Sequence, residues 1–519
     1  MRRPTATLSS VARIVTLPVI VLVAALLAVL LHRTGHTQGD DFALYLRQAR
    51  SVFDGDIGQV VSDNRFAVLN SDSGFSPIAY PWVWPLLLSP FVHAWGFDYD
   101  RLKLVEVATF CCWLVLFHGI VRRRIGWGAA TAIVAVFATA PLFLSHTDQL
   151  LTEFPHLAAV ALVIWCYDRL RRHATLISAT TGQLIALGTL IALAFNVRRE
   201  SVVLLGVIGV MELYDVLAEP APTGERRIDA IVQTVRSRWQ QIVTPFVAFA
   251  VGAVLFQLLL PTDLLPDNGN SSSFIDDRMG EFPGILSDQL GLGDHTAIGV
   301  AVLVVAAIGV LVGLRKRPAL DGPLAMLAVL SSLAISTHLR RVDRYWFQVT
   351  PWVVYFVTVA LLTATRWLFT RRASERRTTR MVQIATVVAL VPLAGLVVAH
   401  TVVLAGDISD AQEYNDAGRV QSGPSNPAVA PIFEAVNTLT PPDAIIAYYR
   451  ARTMTLMTDR RAFQSKQLDR IVERADYYAE RRNSTYWQPE LTTAAARAAG
   501  FEEVWSDQRW ILWRLPDTP

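Results

Sequence analysis

The chain has 519 residues, of which 52% are hydrophobic and 18% are charged, and its mean hydropathy is +0.36. This composition is too apolar for an ordinary soluble protein, and a net charge of only +3 gives no indication of nucleic-acid binding. The three cysteines lie inside apolar runs and lack the spacing of a disulfide framework or a zinc site. We therefore expect an integral membrane protein.

Apolar segments long enough to cross a bilayer recur along the chain. We predict about eleven membrane-spanning helices, at residues 11–31, 102–121, 127–145, 150–167, 178–195, 200–217, 241–260, 297–314, 320–337, 345–367 and 381–404. The first has too long an apolar core for a signal peptide, and no Ala-x-Ala-like cleavage site follows it. We therefore expect this first segment to be a membrane anchor.

The distribution of arginine and lysine in the short loops predicts the orientation. Clusters such as Arg122–Arg124 and Arg315–Arg317 fall in loops of the same parity as the N-terminus. The positive-inside trend therefore places the N-terminus in the cytoplasm and the residues after 404 outside. The predicted location is the plasma membrane, crossed many times.

One apolar stretch, Ile78–Phe97, is crowded with prolines and tryptophans. Counting it as a span would invert the orientation of every later loop. Prolines and interfacial aromatic residues suit a helix that lies on the membrane surface. We therefore interpret residues 32–101 as one large external loop with surface helices, within a transmembrane domain of residues 1–404.

Residues 405–519 are soluble in character and long enough for a small domain with its own core. We predict a polar linker over 406–427, a strand over 443–448, a helix over 467–482, and strands at 501–505 and 510–514. The predicted fold is thus mostly α: a polytopic membrane domain followed by a small extracytoplasmic α/β domain.

Two adjacent acids, Asp40 and Asp41, follow directly on the first span. Charged groups next to hydrocarbon need a water-filled cavity or a partner. If this segment is helical, Asp41 and Tyr45 share one face at spacing i, i+4. The pair is either a catalytic base with a supporting acid or a solvated pair that caps a helix.

Other charged residues emerge on the same predicted side of the membrane. They are Asp148, Glu153, Arg198, Arg199, Arg340, Arg341 and Arg344. A carboxylate can accept the proton of a hydroxyl group, and guanidinium groups bind phosphate through paired hydrogen bonds. Structural alternatives stay open, namely loop capping by the acids, ion pairing with Glu200, and arginines that reach for lipid head groups.

This pattern resembles the GT-C glycosyltransferases, membrane enzymes that use polyprenyl-phosphate-linked sugars. It is most similar to the branch with the protein O-mannosyltransferases and the bacterial lipid A aminoarabinose transferase. The acidic pair after the first span, the Pro/Trp-rich stretch, the Arg340–Tyr345 element before a late span, and the outer domain that ends in Trp510–Arg514 carry the resemblance.

The resemblance implies an inverting transferase that moves a hexose or pentose from a polyprenyl-phosphate donor. The acceptor would be an extracytoplasmic glycan, lipid or protein of the cell envelope, and the enzyme would work in contact with the lipid bilayer. The Ala- and Arg-rich composition indicates a high-GC bacterium, which favours decaprenyl-phosphate mannose or arabinose as the donor.

The same resemblance implies roles for individual residues. Asp40 or Asp41 would be the base, and Tyr45 and Tyr345 would line the substrate pocket. The donor phosphate would be bound by arginines, namely Arg198, Arg199, Arg340, Arg341 and Arg344. Asp148 and Glu153 would support the acids or bind a divalent metal, Mg²⁺ or Mn²⁺, which some members of the family need and others do not.

Two other functions remain open from the sequence. One is a transporter or a flippase for lipid-linked sugars, although paired broken helices in two related halves are not visible in the sequence. The other is a non-catalytic scaffold that presents the C-terminal domain to other proteins.

Overall fold

The computed structural model describes residues 5–72, 75–220, 226–262, 274–338, 340–371 and 375–516. The chain forms a bundle of long helices, with a small mixed sheet near the C-terminus. In chain order the helices of the first part are α1 (Thr5–Leu31), α2 (Asp41–Asp54), α3 (Ile57–Asn70), α4 (Val83–Trp95), α5 (Tyr99–Ile125), α6 (Trp127–Ala138), α7 (Pro141–Ser145), α8 (Glu153–Leu170), α9 (Thr181–Phe195), α10 (Val203–Ala218), α11 (Arg227–Leu259), α12 (Ile275–Gln289), α13 (Thr296–Lys316), α14 (Pro318–Ser336), α15 (Thr350–Thr370) and α16 (Glu375–Asp416).

Each of the eleven predicted spans coincides with helical structure. Within the described ranges, eight helices are long and apolar enough to cross a membrane, and the pair α6–α7, bent by 55°, makes a ninth. Proline at the start of α7 explains the bend, because a proline cannot continue the hydrogen-bond pattern of a preceding helix. The remaining two are α8, which begins with a charged residue, and α9, which has only 15 residues. The predicted polytopic fold is confirmed.

The segment between α1 and α5 forms three helices. Among them α4 has only 13 residues, so at about 1.5 Å per residue it is too short to cross a bilayer. One face of α2, with Phe42, Leu46 and Ala49, packs on Trp84 and Leu88 of α4. This spacing of three to four residues is that of an amphipathic helix, and it holds α2 against α4.

One prediction about the connecting segments was wrong, and one segment holds an additional helix. Between the spans predicted at 241–260 and 297–314, residues 275–289 form α12, which packs against α13 and α14. The expected polar linker from 406 is helical as far as Asp416, because α16 continues past the membrane segment. The chain then turns at Gly418, whose φ of +64° suits the glycine that follows a helix end. Position 404 thus lies inside one continuous helix.

The C-terminal part is a five-stranded sheet with flanking helices. Its elements are α17 (Ala430–Leu439), β1 (Ile445–Ala447), α18 (Ala451–Thr458), β2 (Arg461–Phe463), α19 (Leu468–Arg474), β3 (Tyr477–Arg481), α20 (Thr493–Ala498), β4 (Glu502–Ser506) and β5 (Trp510–Arg514). The strand order is β2-β1-β3-β5-β4. Strands β2, β1 and β3 are parallel, whereas β5 pairs antiparallel with both β3 and β4. The predicted closing strand pair is therefore confirmed.

The predicted helix over 467–482 is correct only in its first half. Helix α19 ends at Arg474, and Tyr477–Arg481 forms the central strand β3. Tyr477 packs into the hydrophobic cluster on one face of the sheet and Tyr478 into the cluster on the other. Adjacent residues buried on opposite faces require the two-residue period of a strand, and this outweighs the local helical pattern.

The C-terminal domain packs on the helices that follow α1. Ala67 of α3 and Phe75 belong to the same hydrophobic cluster as Ile446 of β1 and Trp510 of β5. The backbone N–H of Asp72 also donates to the carbonyl of Gln464, at 3.1 Å. This packing brings the start of α18 to the start of α2.

Candidate functional site

Asp41 is the first residue of α2 and lies where the membrane helices, the surface helices and the C-terminal domain meet. The Tyr80 hydroxyl donates a hydrogen bond of 2.5 Å to Oδ1 of Asp41. The guanidinium nitrogens of Arg344 and Arg452 lie 3.7 Å and 3.9 Å from its two carboxylate oxygens. The side chain is still 32% exposed, so it is open to solvent.

Asp40 has a different environment although it is the adjacent residue. It is buried, and its Oδ1 accepts hydrogen bonds of 3.3 Å from both the backbone N–H and the hydroxyl of Thr453 in α18. Burial raises the pKa of the Asp40 carboxyl, against the opposing charges of Arg450 and Arg452. Of the two candidates for the base, Asp41 is the one open to solvent, and Asp40 attaches α2 to the C-terminal domain.

Glu153, at the start of α8, lies between two arginines. Its Oε1 accepts hydrogen bonds from Arg344 at 2.8 Å and from Arg198 at 3.0 Å. Arg198 also donates to Glu200 at 3.0 Å. The ring of Tyr345 lies under both guanidinium groups, with its centroid 5.0 Å from Arg198 and 5.8 Å from Arg344. Residues predicted from three separate loops therefore converge at Asp41 and Glu153.

Arg344 is the arginine that links the two acids. Burial lowers the pKa of Arg344, but Glu153 and Asp41 outweigh burial and raise it above its ordinary value. Its side chain keeps 21% of its surface exposed, whereas that of Arg198 keeps 12% and is held by two carboxylates. Arg344 is thus the better placed of the two to contact a bound anion.

The other predicted arginines lie apart from this pair. Arg199 donates to Asn196 at 3.2 Å and to the Phe195 carbonyl, at the end of α9. Arg341 is 63% exposed and pairs with Glu281 of α12 at 2.7 Å. Arg340 is exposed and closer to the site. Burial and Asp41 raise the pKa of Tyr80, and the charges of Arg452 and Arg340 oppose that rise.

Asp148 lies in a separate cluster and does not share the contacts of Glu153. Its Oδ1 is 2.8 Å from the ammonium group of Lys103, which has no exposed surface. Its Oδ2 accepts a hydrogen bond of 2.9 Å from Gln421, and Oδ1 also accepts one from the backbone N–H of Arg33. These contacts tie α5 to the segments after α1 and after α16.

A divalent metal at Asp148 and Glu153 stays a prediction, and the positive charges beside both carboxylates do not favour it. Among the described residues, no three or more His, Cys, Asp or Glu side chains come together as a metal-binding group. Oε2 of Glu153 is buried without a hydrogen-bond partner in the described part of the chain. The two guanidinium groups on Oε1 would repel a cation there, and Lys103 would do the same at Asp148.

Tyr45 lies on the same face of α2 as Asp41, as the sequence predicts. Its ring is 4.6 Å from that of Tyr80, and the side chain is buried. Tyr80 itself is oriented by Gln48 of α2, which exchanges two hydrogen bonds with the Tyr80 backbone, at 2.9 and 3.2 Å. The tyrosine pair thus forms one wall beside the Asp41 carboxylate.

Two residues that shape the site, Tyr80 and Arg452, were not predicted, and neither was Lys103 beside Asp148. Arg452 of α18 donates to the Tyr80 hydroxyl at 3.1 Å, and is fixed by Asn64 and by the Pro77 carbonyl at 3.0 and 2.8 Å. Tyr80 stands in the Pro/Trp-rich stretch already singled out, so it could have been found there. No sequence signal marks Arg452 or Lys103, because both act only through contacts between distant segments.

No protein-family model matches the chain, and no curated protein sequence matches it. Solved structures do match it over nearly its whole length. ArnT from Cupriavidus metallidurans bound to undecaprenyl phosphate is 12% identical, with a TM-score of 0.55 over 95% of this chain and 97% of that chain. The apo form of the same ArnT gives 12% identity and a TM-score of 0.53, over 98% of each chain.

A third structure is the archaeal oligosaccharyltransferase AglB from Archaeoglobus fulgidus, in complex with an inhibitory peptide and a dolichol-phosphate. It is 10% identical, with a TM-score of 0.50 over 98% of this chain and 75% of that chain. Identities this low show a shared fold. The chain therefore shares the GT-C fold of these structures, and its long apolar helices make it a multi-pass membrane protein.

Proposed function

We propose that the protein is an integral-membrane glycosyltransferase that moves a monosaccharide from a polyprenyl-phosphate donor to an acceptor hydroxyl, with inversion. The observation that carries the proposal is the position of Asp41: a partly exposed carboxylate 3.7 Å from Arg344, at the end of the membrane helices. The GT-C fold supports it, since two of the similar structures hold undecaprenyl phosphate or dolichol-phosphate.

In this mechanism Asp41 is the general base. Oδ1 is held by the Tyr80 hydroxyl, which leaves Oδ2 to accept the proton of the acceptor hydroxyl. The acceptor oxygen forms a bond to the anomeric carbon as the bond from that carbon to the phosphate oxygen breaks. The electron pair of the broken bond leaves with polyprenyl phosphate.

Arg344 would stabilise the charge that develops on the leaving phosphate. Guanidinium groups fixed in advance are effective in this role, because they need no reorganisation during the reaction. Glu153 and Tyr345 hold Arg344 in place, and Arg198 adds a second positive charge behind it. Arg452 is a positioning residue, since it acts on Asp41 through Tyr80.

The proposal includes the side of the membrane and the class of acceptor. The arginine-rich loops support a cytoplasmic N-terminus, which would place Asp41 and the C-terminal domain outside the plasma membrane. The acceptor would then be a cell-envelope glycan, lipid or protein. Decaprenyl-phosphate mannose and arabinose are the first donors to test.

Asp41→Asn tests the mechanism. The amide keeps the size of the side chain but cannot accept the proton, so we expect donor consumption to fall by about 10²- to 10⁴-fold. The assay supplies radiolabelled decaprenyl-phosphate mannose or arabinose to proteoliposomes and follows release of the lipid phosphate. Thermal unfolding should change little, because the asparagine oxygen can still accept the hydrogen bond from the Tyr80 hydroxyl.

Asp54→Asn is the matched control, since Asp54 lies on the same helix and is 52% exposed. We expect its activity to stay within about twofold of wild type. Wild-type rates in Asp41→Asn would reject the proposed base. Failure of the wild-type protein to consume any polyprenyl-phosphate sugar would reject the transferase.

A further inference from the structure

Two arginines of the C-terminal domain lie next to the acid pair without a carboxylate partner. They are Arg450, which precedes α18, and Arg481, which ends β3. In the part of the chain that the structure describes, neither has a carboxylate oxygen within 4.0 Å. By contrast, Arg198, Arg344 and Arg452 all have such partners. Within the described residues, these two cations therefore have no direct ion pair, although the charge of Arg450 acts on the buried Asp40.

The sheet brings the two arginines to the same level. Strands β1 and β3 are parallel neighbours with Ala447 opposite Tyr478. Arg450 comes three residues after Ala447 and Arg481 three residues after Tyr478, so both lie at the same edge of the sheet. Arg450 follows the carboxyl end of β1 and Arg481 is the last residue of β3, and the carboxyl ends of parallel strands are where such sheets commonly bind ligands. Burial raises the pKa of Tyr449, and the charges of Arg481 and Arg450 oppose that rise, so both arginines lie near this residue.

The guanidinium group of Arg450 is held in a defined position. It donates a hydrogen bond of 2.8 Å to the Tyr486 hydroxyl and lies 5.2 Å from the centre of that ring. The Tyr449 ring lies on its other side, at 6.0 Å. Its Nε is buried without a hydrogen-bond partner among the described residues. Like charges at one edge of a sheet repel each other unless an anion lies between them.

This arrangement is continuous with the site around Asp41. Arg452 and Thr453, which contact Tyr80 and Asp40, follow Arg450 directly in the chain. The Tyr486 side chain is 49% exposed, and an exposed aromatic ring offers a stacking surface for a sugar. A ligand bound at Arg450 would therefore lie beside the proposed base, on the side of the C-terminal domain.

We propose that Arg450, Arg481 and Tyr486 form a subsite that binds an anionic group, a phosphate or a carboxylate, on a sugar unit of the acceptor. The proposal rests on the transferase function and adds the chemical class of the acceptor. Two guanidinium groups provide charge-assisted hydrogen bonds for one anion, and Tyr486 selects for an anion that is carried by a sugar ring.

The test measures ligand binding to the full chain in phosphatidylcholine nanodiscs, by saturation-transfer NMR. The probes are glucose 6-phosphate, glucuronate, glucose and inorganic phosphate. We expect the two charged sugars to bind at least about tenfold more tightly than glucose or inorganic phosphate. Arg450→Gln and Arg481→Gln should each weaken that binding about tenfold, and Tyr486→Ala should remove the preference for the sugar over free phosphate.

Arg497→Gln is the matched control, because Arg497 is an exposed arginine of the same domain that pairs with Glu503. It should bind the probes like wild type. Equal binding in Arg450→Gln, Arg481→Gln and wild type would overturn the subsite. Inorganic phosphate bound as tightly as glucose 6-phosphate would overturn the assignment to a sugar-borne anion.

A structural role for Arg450, as a counter-charge to Asp40, predicts a lower unfolding temperature with unchanged probe binding, and that result would also reject the subsite. Asp41→Asn separates this proposal from the proposed function. It should abolish transfer and leave glucose 6-phosphate binding unchanged, so each of the two proposals can fail alone.

Discussion

Two clusters of charged side chains at the same end of the membrane helices differ in how completely their charges are satisfied. In the first, which we call the junction cluster, Lys103 and Asp148 join Asp100 and Gln421. All three hydrogens of the Lys103 ammonium have acceptors, in Asp148, Asp100 and the Arg33 carbonyl. The second, the reaction cluster, contains Asp41, Glu153, Arg198 and Arg344.

The charged groups of the reaction cluster have fewer hydrogen-bond and ion-pair partners than they can accept. Asp41 has one well-formed hydrogen bond, from Tyr80, and its side chain is 32% exposed, whereas Lys103 has no exposed surface. Buried polar groups whose partners are complete contribute to the fold, while charged groups that remain open can change partners when a substrate arrives. The sequence marks both Asp41 and Asp148 as acids on the same predicted side of the membrane. Only their contacts in the structure distinguish their roles.

Lys103→Met gives the largest expected effect on stability. It leaves Asp148 largely buried without its cation, and breaking such a pair costs about 3–5 kcal/mol of the free energy of unfolding. The measurement is unfolding of the purified protein in mild detergent. Lys466→Met is the control, since Lys466 is exposed over the Trp487 ring and should cost less than about 1 kcal/mol.

The double variant Lys103→Met with Asp148→Leu sharpens the same test. Removing both charges removes the unpaired carboxylate, so the double variant should be more stable than Lys103→Met alone. A double variant that is less stable than the single one would show that Asp148 stabilises the junction by its bonds to Gln421 and Arg33 rather than by its pairing with Lys103.

The fold was predictable where it depends on hydropathy alone. Eleven apolar segments are helical because the bilayer requires internally satisfied backbone hydrogen bonds over about 20 residues. The errors lie where local pattern and tertiary packing disagree. Residues 407–416 are polar yet continue α16, and Tyr477–Arg481 follows a helical segment yet forms the central strand.

The site was predictable only in part, for a related reason. Membrane topology brought Asp41, Glu153, Arg198 and Arg344 to one side, and these four do meet. The same reasoning included Asp148 and Arg341, because a shared side of the membrane does not require a shared contact. Arg452 could not be predicted, since its place depends on how the C-terminal domain packs on α3.

The second prediction concerns pH and His36, which lies beside the junction cluster. Nδ1 of His36 donates to the Thr37 carbonyl at 2.9 Å, so Nε2 is the acceptor for the Leu150 N–H at 3.0 Å. Burial lowers the pKa of His36 to about 4, from 6.5, and Lys103 contributes to the decrease. Protonation would turn Nε2 into a hydrogen-bond donor that faces the Leu150 N–H, so the hydrogen bond between them would be lost.

The unfolded chain binds this proton more tightly than the folded chain does. The contribution of neutral His36 to the free energy of unfolding is therefore complete above pH 6.5 and is lost as the pH falls towards 4. The loss amounts to about 3 kcal/mol. The free energy of unfolding, measured from pH 8 to pH 4, should show this loss. His36→Gln should reduce the slope of that free energy against pH. His32, whose pKa burial also lowers to about 4, accounts for part of the remaining slope. The exposed-histidine control His93→Gln should leave the slope unchanged. If His36→Gln also leaves the slope unchanged, the prediction is contradicted.

The smallest expected effect is at Arg341, which lies three residues from Arg344 and was assigned the same role from the sequence. Its guanidinium group pairs with Glu281 at 2.7 Å and is 63% exposed, so it lies outside the reaction cluster. An exposed ion pair contributes at most about 1 kcal/mol to the free energy of unfolding. Because Arg341 lies outside the reaction cluster, we expect Arg341→Gln to consume a polyprenyl-phosphate donor at a rate within about twofold of wild type. Arg344→Gln is the positive control and must slow the same reaction. If the two variants lose activity equally, donor binding extends over the whole Arg340–Arg344 element. Charged groups with incomplete partners would then no longer distinguish the reaction cluster from its surroundings.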